Sequence, residues 1–284
     1  MFSHLLTACL AVSAAALSLP NISSTHETAF SLPAHTPVIG PQLHATCNST
    51  NTAQLTAALQ DTAELSLVAR QYLLENGRTD PVFTKYFGVN GTTAPVVGVF
   101  DNIVSANKPG VLFRCDDVDG NCARDATWAG HWRGSNATSE TVICDTSYVK
   151  RLRLAQMCTQ GYTVAGSKTN VFWASDLLHR LFHVPSVSED AIHHTADGYA
   201  ETLELATHED GEAVHNSDSL LYFALEVYAL RVSVPGVGCL GTAVAKKPSP
   251  MTTAIATPAA ATTLATTTMP KKECHTHADG AVHC

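Results

Sequence analysis

The stretch Asn170–Pro185 reads NVFWASDLLHRLFHVP, and its composition predicts a short buried helix. Asn170 is the predicted N-cap, and Pro185 ends the helix because proline cannot continue it. On this helix His179 and His183 stand four residues apart, so their imidazoles leave one face within about 6 Å of each other. Two imidazoles at this spacing can share one metal ion. The apolar residues around them are Val171, Phe172, Leu177, Leu178, Leu181 and Phe182.

The residue after the first histidine decides the expected chemistry. A zinc peptidase of the HExxH type carries glutamate there, as general base on metal-bound water. Here that position is Arg180. A guanidinium accepts no proton at any working pH, so it cannot activate water, and we expect it to turn toward a carboxylate such as Asp176 or Glu201. The sequence therefore predicts a site that binds zinc without hydrolysing peptides.

The histidine pair alone is a weak signal, because a chain with 14 histidines contains about one such spacing by chance. The alternative is two core histidines that hydrogen-bond within the protein. Candidate ligands downstream favour a metal. Asp197 is the preferred third ligand because TADGY resembles the G-T-x-D-x-x-Y sequence of the aspzincin peptidases, whereas the imidazole of His194 better suits a high-affinity site. We expect His193 to be structural or exposed, and Glu201 to orient an imidazole from outside the ligand set.

Composition divides the chain into segments and indicates secretion. The first apolar run is too short to span a bilayer and is followed by small residues, which is typical of a signal peptide. A Thr, Ala and Pro-rich stretch cannot bury enough surface to fold, so we expect a disordered, O-glycosylated stalk. The predicted segments are a signal peptide (1–18), an extended arm (19–46), a globular domain (47–240), the stalk (241–272) and a Cys/His-rich tip (273–284).

The cysteines and sequons fit an oxidising compartment. Without Cys9 of the signal peptide an even number remains, which suggests four disulfides of open connectivity. The disulfide candidates are Cys47, Cys115, Cys122, Cys144, Cys158, Cys239, Cys274 and Cys284. N-glycosylation sequons begin at Asn21, Asn48, Asn90 and Asn136.

The tip is a second candidate metal site. Its histidines are His275, His277 and His283, between Cys274 and Cys284. A disulfide would close a small loop that presents three imidazoles on a tether, and reduced cysteines would give a Cys/His site. The alternative is a tail hairpin whose histidines are incidental.

The remaining patterns predict helices around a small β-rich segment. We expect helices over Thr52–Asn76, capped by Asn51, over Ser219–Val232, and from Asp197 or Gly198 onward. Within Asp80–Tyr148 the predicted β-rich runs are Pro95–Phe100, Val111–Cys115, Trp128–Trp132 and Thr141–Cys144.

Three polar stretches have simple interpretations. DDVDGN is interpreted as a loop closed by Cys115 and Cys122, because it is too short for a calcium loop. KRLRLAQMC, in Val149–Cys158, is interpreted as a solvated helix face. HEDGEAVH is interpreted as a solvated turn, with a weak accessory cation site as the alternative. It contains His208, Glu209, Asp210 and His215.

Net charge limits the partners. A formal charge of −8 and a pI near 5.9 argue against a nucleic acid or an anionic membrane. Outside the first residues we find no stretch long and apolar enough to cross a membrane.

Several motifs together resemble the fungal secreted HRxxH antigens, a family of zinc-binding proteins that includes a pH-regulated antigen and a major mould allergen. They are HRxxH at His179, HxADGY at His194, LYFALEVYA at Leu221, PGVGC at Pro235 and the terminal CHTHxxGxxHC. The resemblance implies an α+β, deuterolysin-like zincin fold whose peptidase glutamate is replaced. It also implies a zinc-scavenging role, with return of zinc to a plasma-membrane importer. Host complement regulators, fibrinogen and plasminogen are further implied partners.

The sequence thus predicts a secreted zinc-binding protein, in the extracellular space or at the cell wall, with zinc on His179, His183 and Asp197 or His194. The imidazoles must be neutral to bind, so affinity should rise as pH climbs through about 6.5. One rival is an aspzincin-type metallopeptidase with an unorthodox base such as Glu201. Another is a structural or adhesive antigen whose metal only stabilises the fold.

Overall fold

The computed structural model describes residues 38–242 and the backbone of two short strands near the C-terminus. This part of the chain is mainly helical with a small sheet, which confirms the predicted α+β class. The helices are α1 (Ser49–Asn76), α2 (Pro81–Phe87), α3 (Thr93–Ser105), α4 (Asn121–Arg124), α5 (Asp145–Lys150), α6 (Trp173–Phe182), α7 (Pro185–Ser188), α8 (Tyr199–Leu205) and α9 (Ser217–Tyr228). The strands are β1 (Gln42–Leu43), β2 (Leu112–Arg114), β3 (Gly130–Trp132), β4 (Glu140–Ile143), β5 (His275–Thr276) and β6 (Val282–His283).

Strands β1 to β4 form one sheet in the order β1-β2-β4-β3. The β1–β2 and β2–β4 pairs are parallel, and β3 runs antiparallel to β4 with His131 opposite Val142. Strand β1 lies within the predicted arm, so the end of that arm belongs to the sheet. Strands β5 and β6 pair antiparallel, with His275 opposite His283, and the Cα trace of β5 comes within 8 Å of β3.

The core lies where α1 packs against α3, α6 and α9. Every residue of α9 is buried, which explains its apolar sequence. Phe223 of α9 is fully buried, with five aromatic rings at centroid distances of 5.3–6.5 Å. These rings belong to Tyr72, Phe83, Tyr86, Phe87 and Phe100. Helix α6, with both histidines of the predicted pair at its end, is thereby held on a rigid base.

Two helices begin at other residues than the sequence suggests. Helix α1 starts earlier than predicted, because the Asn48 side chain accepts from the Asn51 N–H at 2.8 Å. Asn51 is therefore not the cap. Helix α6 starts at Trp173, and the predicted cap Asn170 lies in a preceding 3₁₀ turn. The predicted start of α8 at Gly198 is confirmed, since this glycine adopts φ 80° as its N-cap.

The predicted strand Pro95–Phe100 is wrong, since these residues lie in α3. A short apolar run rich in valine fits either structure, and here the buried residues Val96, Phe100 and Ile103 share one helical face. The predicted runs Val111–Cys115 and Trp128–Trp132 contain β2 and β3, and the run Thr141–Cys144 overlaps β4.

The predicted helix over Val149–Cys158 is also wrong, although Lys150 and Arg153 are exposed as a solvated face requires. Helix α5 ends at Lys150, and the two arginines that follow make ion pairs. Arg151 is buried, with Nη2 3.2 Å from Asp176 Oδ1. Arg153 binds the Asp61 carboxylate through Nε and Nη2, at 2.7 and 2.9 Å.

Three disulfides occur between described cysteines: Cys47–Cys115, Cys122–Cys144 and Cys158–Cys239. The predicted closure of DDVDGN by Cys115 and Cys122 is therefore wrong. The parallel pairing of β1 with β2 is the reason, because it brings Cys47 beside Cys115 just beyond the strand ends. Cys122 instead reaches Cys144, which directly follows β4.

Several predictions fall outside the described residues. They concern the signal peptide (1–18), the arm to residue 37, Asn21, nearly all of the stalk, His277, Cys274 and Cys284. Three sequon asparagines are described, Asn48, Asn90 and Asn136, and all are exposed. Of the helices in residues 38–242, none has the length and apolar character that a bilayer span requires.

Candidate metal centre

Helix α6 brings the first two histidines together. His179 lies in its last turn, and His183 follows as its C-cap residue. Their Nε2 atoms are 3.1 Å apart, and their ring centroids are 4.8 Å apart at an interplanar angle of 73°. The two imidazoles therefore converge on one face of the helix, as their spacing predicts.

His194 comes to the same point from the loop between α7 and α8. Its Nε2 is 3.4 Å from Nε2 of His183, and its ring centroid is 5.0 Å from that of His179. One ring nitrogen of each histidine lies within 4.8 Å of the others. In a tetrahedral site with Zn–N distances of 2.0–2.1 Å, two ligand nitrogens are about 3.3 Å apart. The two measured Nε2 separations fit this geometry.

Residues at the start of α9 hold the His179 ring and the loop that carries His194. Ser217 Oγ lies 3.2 Å from Nδ1 of His179. The fully buried Asn216 accepts from the backbone N–H groups of Thr195 and Ala196, each at 3.0 Å, through Oδ1. The loop that carries His194 is thus pinned by a residue more than twenty positions further along the chain. Contacts to the second ring nitrogen or to the backbone are what orient ligand histidines in metal sites.

Further contacts complete this support. His193 pairs through its backbone with the chain on both sides of Asn216, since its N–H reaches His215 O at 2.8 Å and its carbonyl accepts from Ser217 N–H at 2.8 Å. The indole of Trp132 in β3 stacks on His183 at a centroid distance of 6.2 Å and an angle of 17°. Sequence reasoning missed Asn216, Ser217 and Trp132. The polar Asn216–Ser217 pair, at the start of a helix with a long apolar run, was the signal for the first two.

Arg180 turns into the protein toward Asp176, one of the two carboxylates expected. Its Nε and Nη2 donate to Oδ2 and Oδ1 of Asp176 at 3.0 and 3.2 Å, and both side chains are buried. Burial alone would raise the pKa of Asp176, but the guanidiniums of Arg151 and Arg180 hold that pKa below its usual range. Arg180 is therefore part of a buried ion-pair group, one residue along α6 from His179.

The structure places Asp197 and Glu201 at the edge of this region. Asp197 Oδ1 is 3.6 Å from Nδ1 of His194, and its side chain is 57% exposed. Glu201 lies half-buried in the first turn of α8. The group of ligand atoms within 4.8 Å of one another consists of His179, His183 and His194.

Other candidates lie elsewhere. His193 is exposed, which confirms that expectation. In the HEDGEAVH loop His208, Glu209 and Asp210 are exposed, whereas His215 Nδ1 lies 3.0 Å from the carbonyl of Ala191. His275 and His283 of the tip are described by their backbone alone.

Comparison with known proteins places this site in a family. The model of the family described as "HRXXH: Putative peptidase family" matches residues 1–242. The major allergen Asp f 2 of Aspergillus fumigatus is 53% identical over 70% of this chain, which spans 64% of the allergen's length. The pH-regulated antigen PRA1 of Candida albicans is 49% identical over a region that covers 75% of this chain and 71% of the antigen. A zinc peptidase from Grifola frondosa is similar in structure, with a TM-score of 0.46 and 18% identity over 63% of this chain and 97% of that one.

The family model spans residues 1–242, which include the helix that carries His179, Arg180 and His183, and the two fungal relatives match 70% and 75% of the chain. The chain therefore belongs to the HRXXH family.

Proposed function

We propose that this protein is a secreted zincophore, which captures extracellular Zn²⁺ and returns it to the cell. The observation that carries the proposal is the convergence of three imidazole nitrogens, with Nε2 atoms 3.1 and 3.4 Å apart, on a point where one tetrahedral ion would fit. Three neutral nitrogen donors suit zinc better than calcium or magnesium, which prefer oxygen ligands. Zinc is the cargo in this proposal.

The ligands in this proposal are His179, His183 and His194. Asp197 is the alternative third ligand from the sequence. Its Oδ1 lies 3.6 Å from Nδ1 of His194, so its carboxylate attracts this imidazole and helps to orient it. A fourth position then remains for water or for a ligand from another segment. Such an open position allows the ion to be passed on, which a closed structural site does not.

We assign the tip histidines, His275, His277 and His283, to lower-affinity or transfer sites. The antiparallel pairing of β5 with β6 supports a hairpin tip, and β5 runs near β3, whose Trp132 stacks on His183. The recipient of the zinc in this proposal is a plasma-membrane zinc importer. Host complement regulators, fibrinogen and plasminogen are the protein partners that the family resemblance adds.

The rival function is zinc-dependent peptide hydrolysis. Arg180 disfavours it, because its guanidinium is committed to Asp176 and takes no proton. A peptidase would need Glu201 as its base. Zinc-dependent proteolysis by the purified protein that is lost in Glu201→Gln would establish the rival.

Zinc titration of the full-length chain tests the proposal. The core site is isolated by replacing His275, His277 and His283 with alanine in every sample. In this background His179→Ala/His183→Ala should abolish tight binding, whereas the matched control His208→Ala, in an exposed loop, should leave it unchanged. Unchanged affinity in the double variant would refute the core site.

A further inference from the structure

A second cluster of metal-ligating atoms lies away from the three-histidine centre. It consists of Cys122, Cys144 and His131, and one ligand atom of each lies within 4.8 Å of the others. The two cysteines form a disulfide, so their sulfurs cannot act as thiolate ligands while it is intact. Reduction would leave two thiols and an imidazole in one place, which is the donor set of a soft-metal site.

His131 is already arranged as a ligand. It is 2% exposed, and its Nε2 lies 3.1 Å from Oδ2 of Asp119. Its Nδ1 is buried and has no hydrogen-bond partner in the described part of the chain. A buried polar atom without a partner is uncommon, because its desolvation is then uncompensated. Since Nε2 is engaged by Asp119, Nδ1 is the nitrogen left to face the sulfurs.

The carboxylate behind His131 is itself fixed. Arg133 donates to Oδ2 and Oδ1 of Asp119 from Nε and Nη2, at 2.9 and 3.1 Å. This places a carboxylate on one imidazole nitrogen and leaves the other for a metal, an arrangement that sets ring orientation and tautomer in zinc proteins. The edge of Trp128 packs on the His131 ring at a centroid distance of 5.9 Å.

A cavity is lined by both cysteines. Its volume is about 320 Å³, and its lining includes Cys122, Cys144, Trp128, Asp117 and Asp145. It is large enough for a small reductant's thiol group, a metal ion and water. The carboxylates of Asp117 and Asp145 give the lining a negative charge, which favours a cation.

We propose that Cys122, Cys144 and His131 form a redox-gated site for a thiophilic divalent cation such as Zn²⁺, closed by the disulfide and opened by its reduction. The site uses none of the residues of the three-histidine centre, so it does not depend on the zincophore proposal. It would bind the ion in reducing surroundings and release it on oxidation.

The chemistry balances with a low-molecular-weight thiol as the reductant. Two such thiols supply two electrons to the Cys122–Cys144 bond, which becomes two cysteine thiols while the reductant becomes its own disulfide. Binding of Zn²⁺ then releases the two thiol protons and gives two thiolate ligands. Nδ1 of His131 is the third ligand, and water in the cavity takes the fourth position. In the reverse direction the disulfide of the same small thiol is the oxidant: it takes two electrons from the two thiolates and two protons from water, becomes two thiols, and leaves the Cys122–Cys144 bond re-formed and the ion released.

The test uses the full-length protein with His179→Ala, His183→Ala, Cys274→Ser and Cys284→Ser, and with alanine at His275, His277 and His283, so that neither the three-histidine centre nor the tip contributes. After reduction with a phosphine, Co²⁺ is titrated and the thiolate-to-cobalt charge-transfer band is recorded. We expect one equivalent of Co²⁺ to bind in the reduced protein and no band in the oxidised protein. His131→Gln should weaken binding at least about tenfold, and Cys122→Ser/Cys144→Ser should abolish the band.

The matched control is Cys158→Ser/Cys239→Ser, which also removes one disulfide and should keep the band. As a second readout, Zn²⁺ should protect Cys122 and Cys144 from alkylation, scored by peptide mass spectrometry, while Cys158 and Cys239 react. A band that survives Cys122→Ser/Cys144→Ser, or protection that is equal in His131→Gln, would overturn the proposal. Reduction that unfolds the chain, with no recovery of circular dichroism on adding Zn²⁺, would overturn it as well.

Discussion

Arg180 binds Asp176 through two hydrogen bonds, Nε to Oδ2 at 3.0 Å and Nη2 to Oδ1 at 3.2 Å, and both side chains are buried. The residue that stands where HExxH peptidases carry their general base is therefore committed to the interior of the protein. It shares Asp176 with Arg151, which joins α6 to the segment after α5. Arg180 thus supplies no base and instead forms an ion pair beneath the candidate metal centre.

Arg180→Gln should destabilise the protein by about 2–3 kcal/mol, because the buried Asp176 carboxylate loses two charge-assisted hydrogen bonds and keeps Arg151 as a charged partner. Urea unfolding of the metal-free protein at neutral pH measures this. Arg124→Gln, at an exposed arginine, is the control and should change stability by less than about 0.5 kcal/mol. Equal stability of both variants would show that the Arg180–Asp176 pair contributes nothing.

Arg180→Glu should not create a peptidase. The new carboxylate would lie against Asp176 in a buried position, where two like charges repel strongly. We expect lower stability than in Arg180→Gln and no zinc-dependent cleavage of casein. Proteolysis by a folded Arg180→Glu protein would contradict this and support descent from a peptidase with the rest of its machinery in place.

Asn216→Ala should impair both stability and zinc binding. The N–H groups of Thr195 and Ala196 would lose their acceptor, and the loss at the buried Ala196 costs about 1–3 kcal/mol. Loosening of the loop that carries His194 should lower zinc affinity about tenfold, as loss of an outer contact does in other metal sites. Zinc titration and urea unfolding are compared with Asn90→Ala at an exposed site. Wild-type affinity in a destabilised Asn216→Ala protein would show that this loop does not hold a ligand.

His194→Ala and Asp197→Asn separate the two candidates for the third ligand. The cluster contains the His194 imidazole, and the Asp197 carboxylate contacts that ring from outside. We therefore expect His194→Ala to lower zinc affinity at least about tenfold more than Asp197→Asn. The reverse order in competition titrations with a chelator would make Asp197 the ligand.

Asp218 should make the metal-free protein less stable as pH rises from 4 to 6. Burial raises its pKa from 3.8 to about 6, although the N–H of Gly198 opposes the shift. Between these values the folded chain holds a proton that the unfolded chain has lost, so stability falls by up to about 3 kcal/mol as pH rises through this window. Asp218→Asn should remove this part of the pH dependence, and Asp210→Asn, at an exposed carboxylate, should not. Parallel urea-unfolding profiles for Asp218→Asn and wild type would refute the assignment.

Local patterns were enough to predict some elements and not others. The apolar helix with His179 and His183 follows from spacing alone, and Gly198 marks the start of α8. The position of His194 does not follow from local patterns, because it depends on Asn216, which is distant in sequence. The pairing of Cys47 with Cys115 likewise requires the parallel register of β1 and β2.

The second source of error in the sequence predictions was the group of basic residues that follows α5. A run of arginines after α5 has the composition of a solvated surface. Arg151 nevertheless lies buried, because Asp176 on α6 compensates its charge across the fold. Such pairs become visible when the tertiary structure is known. Asp176 also binds Arg180, which explains why the Arg180 side chain turns away from the His179 ring.

The most direct test of the central claim is an anomalous difference map, recorded at the zinc edge from crystals of the zinc-loaded full-length protein. The account predicts a peak about 2.0–2.1 Å from a ring nitrogen of each of His179, His183 and His194. Absence of a peak between these three rings, in crystals whose tip or other segments do hold zinc, would contradict it.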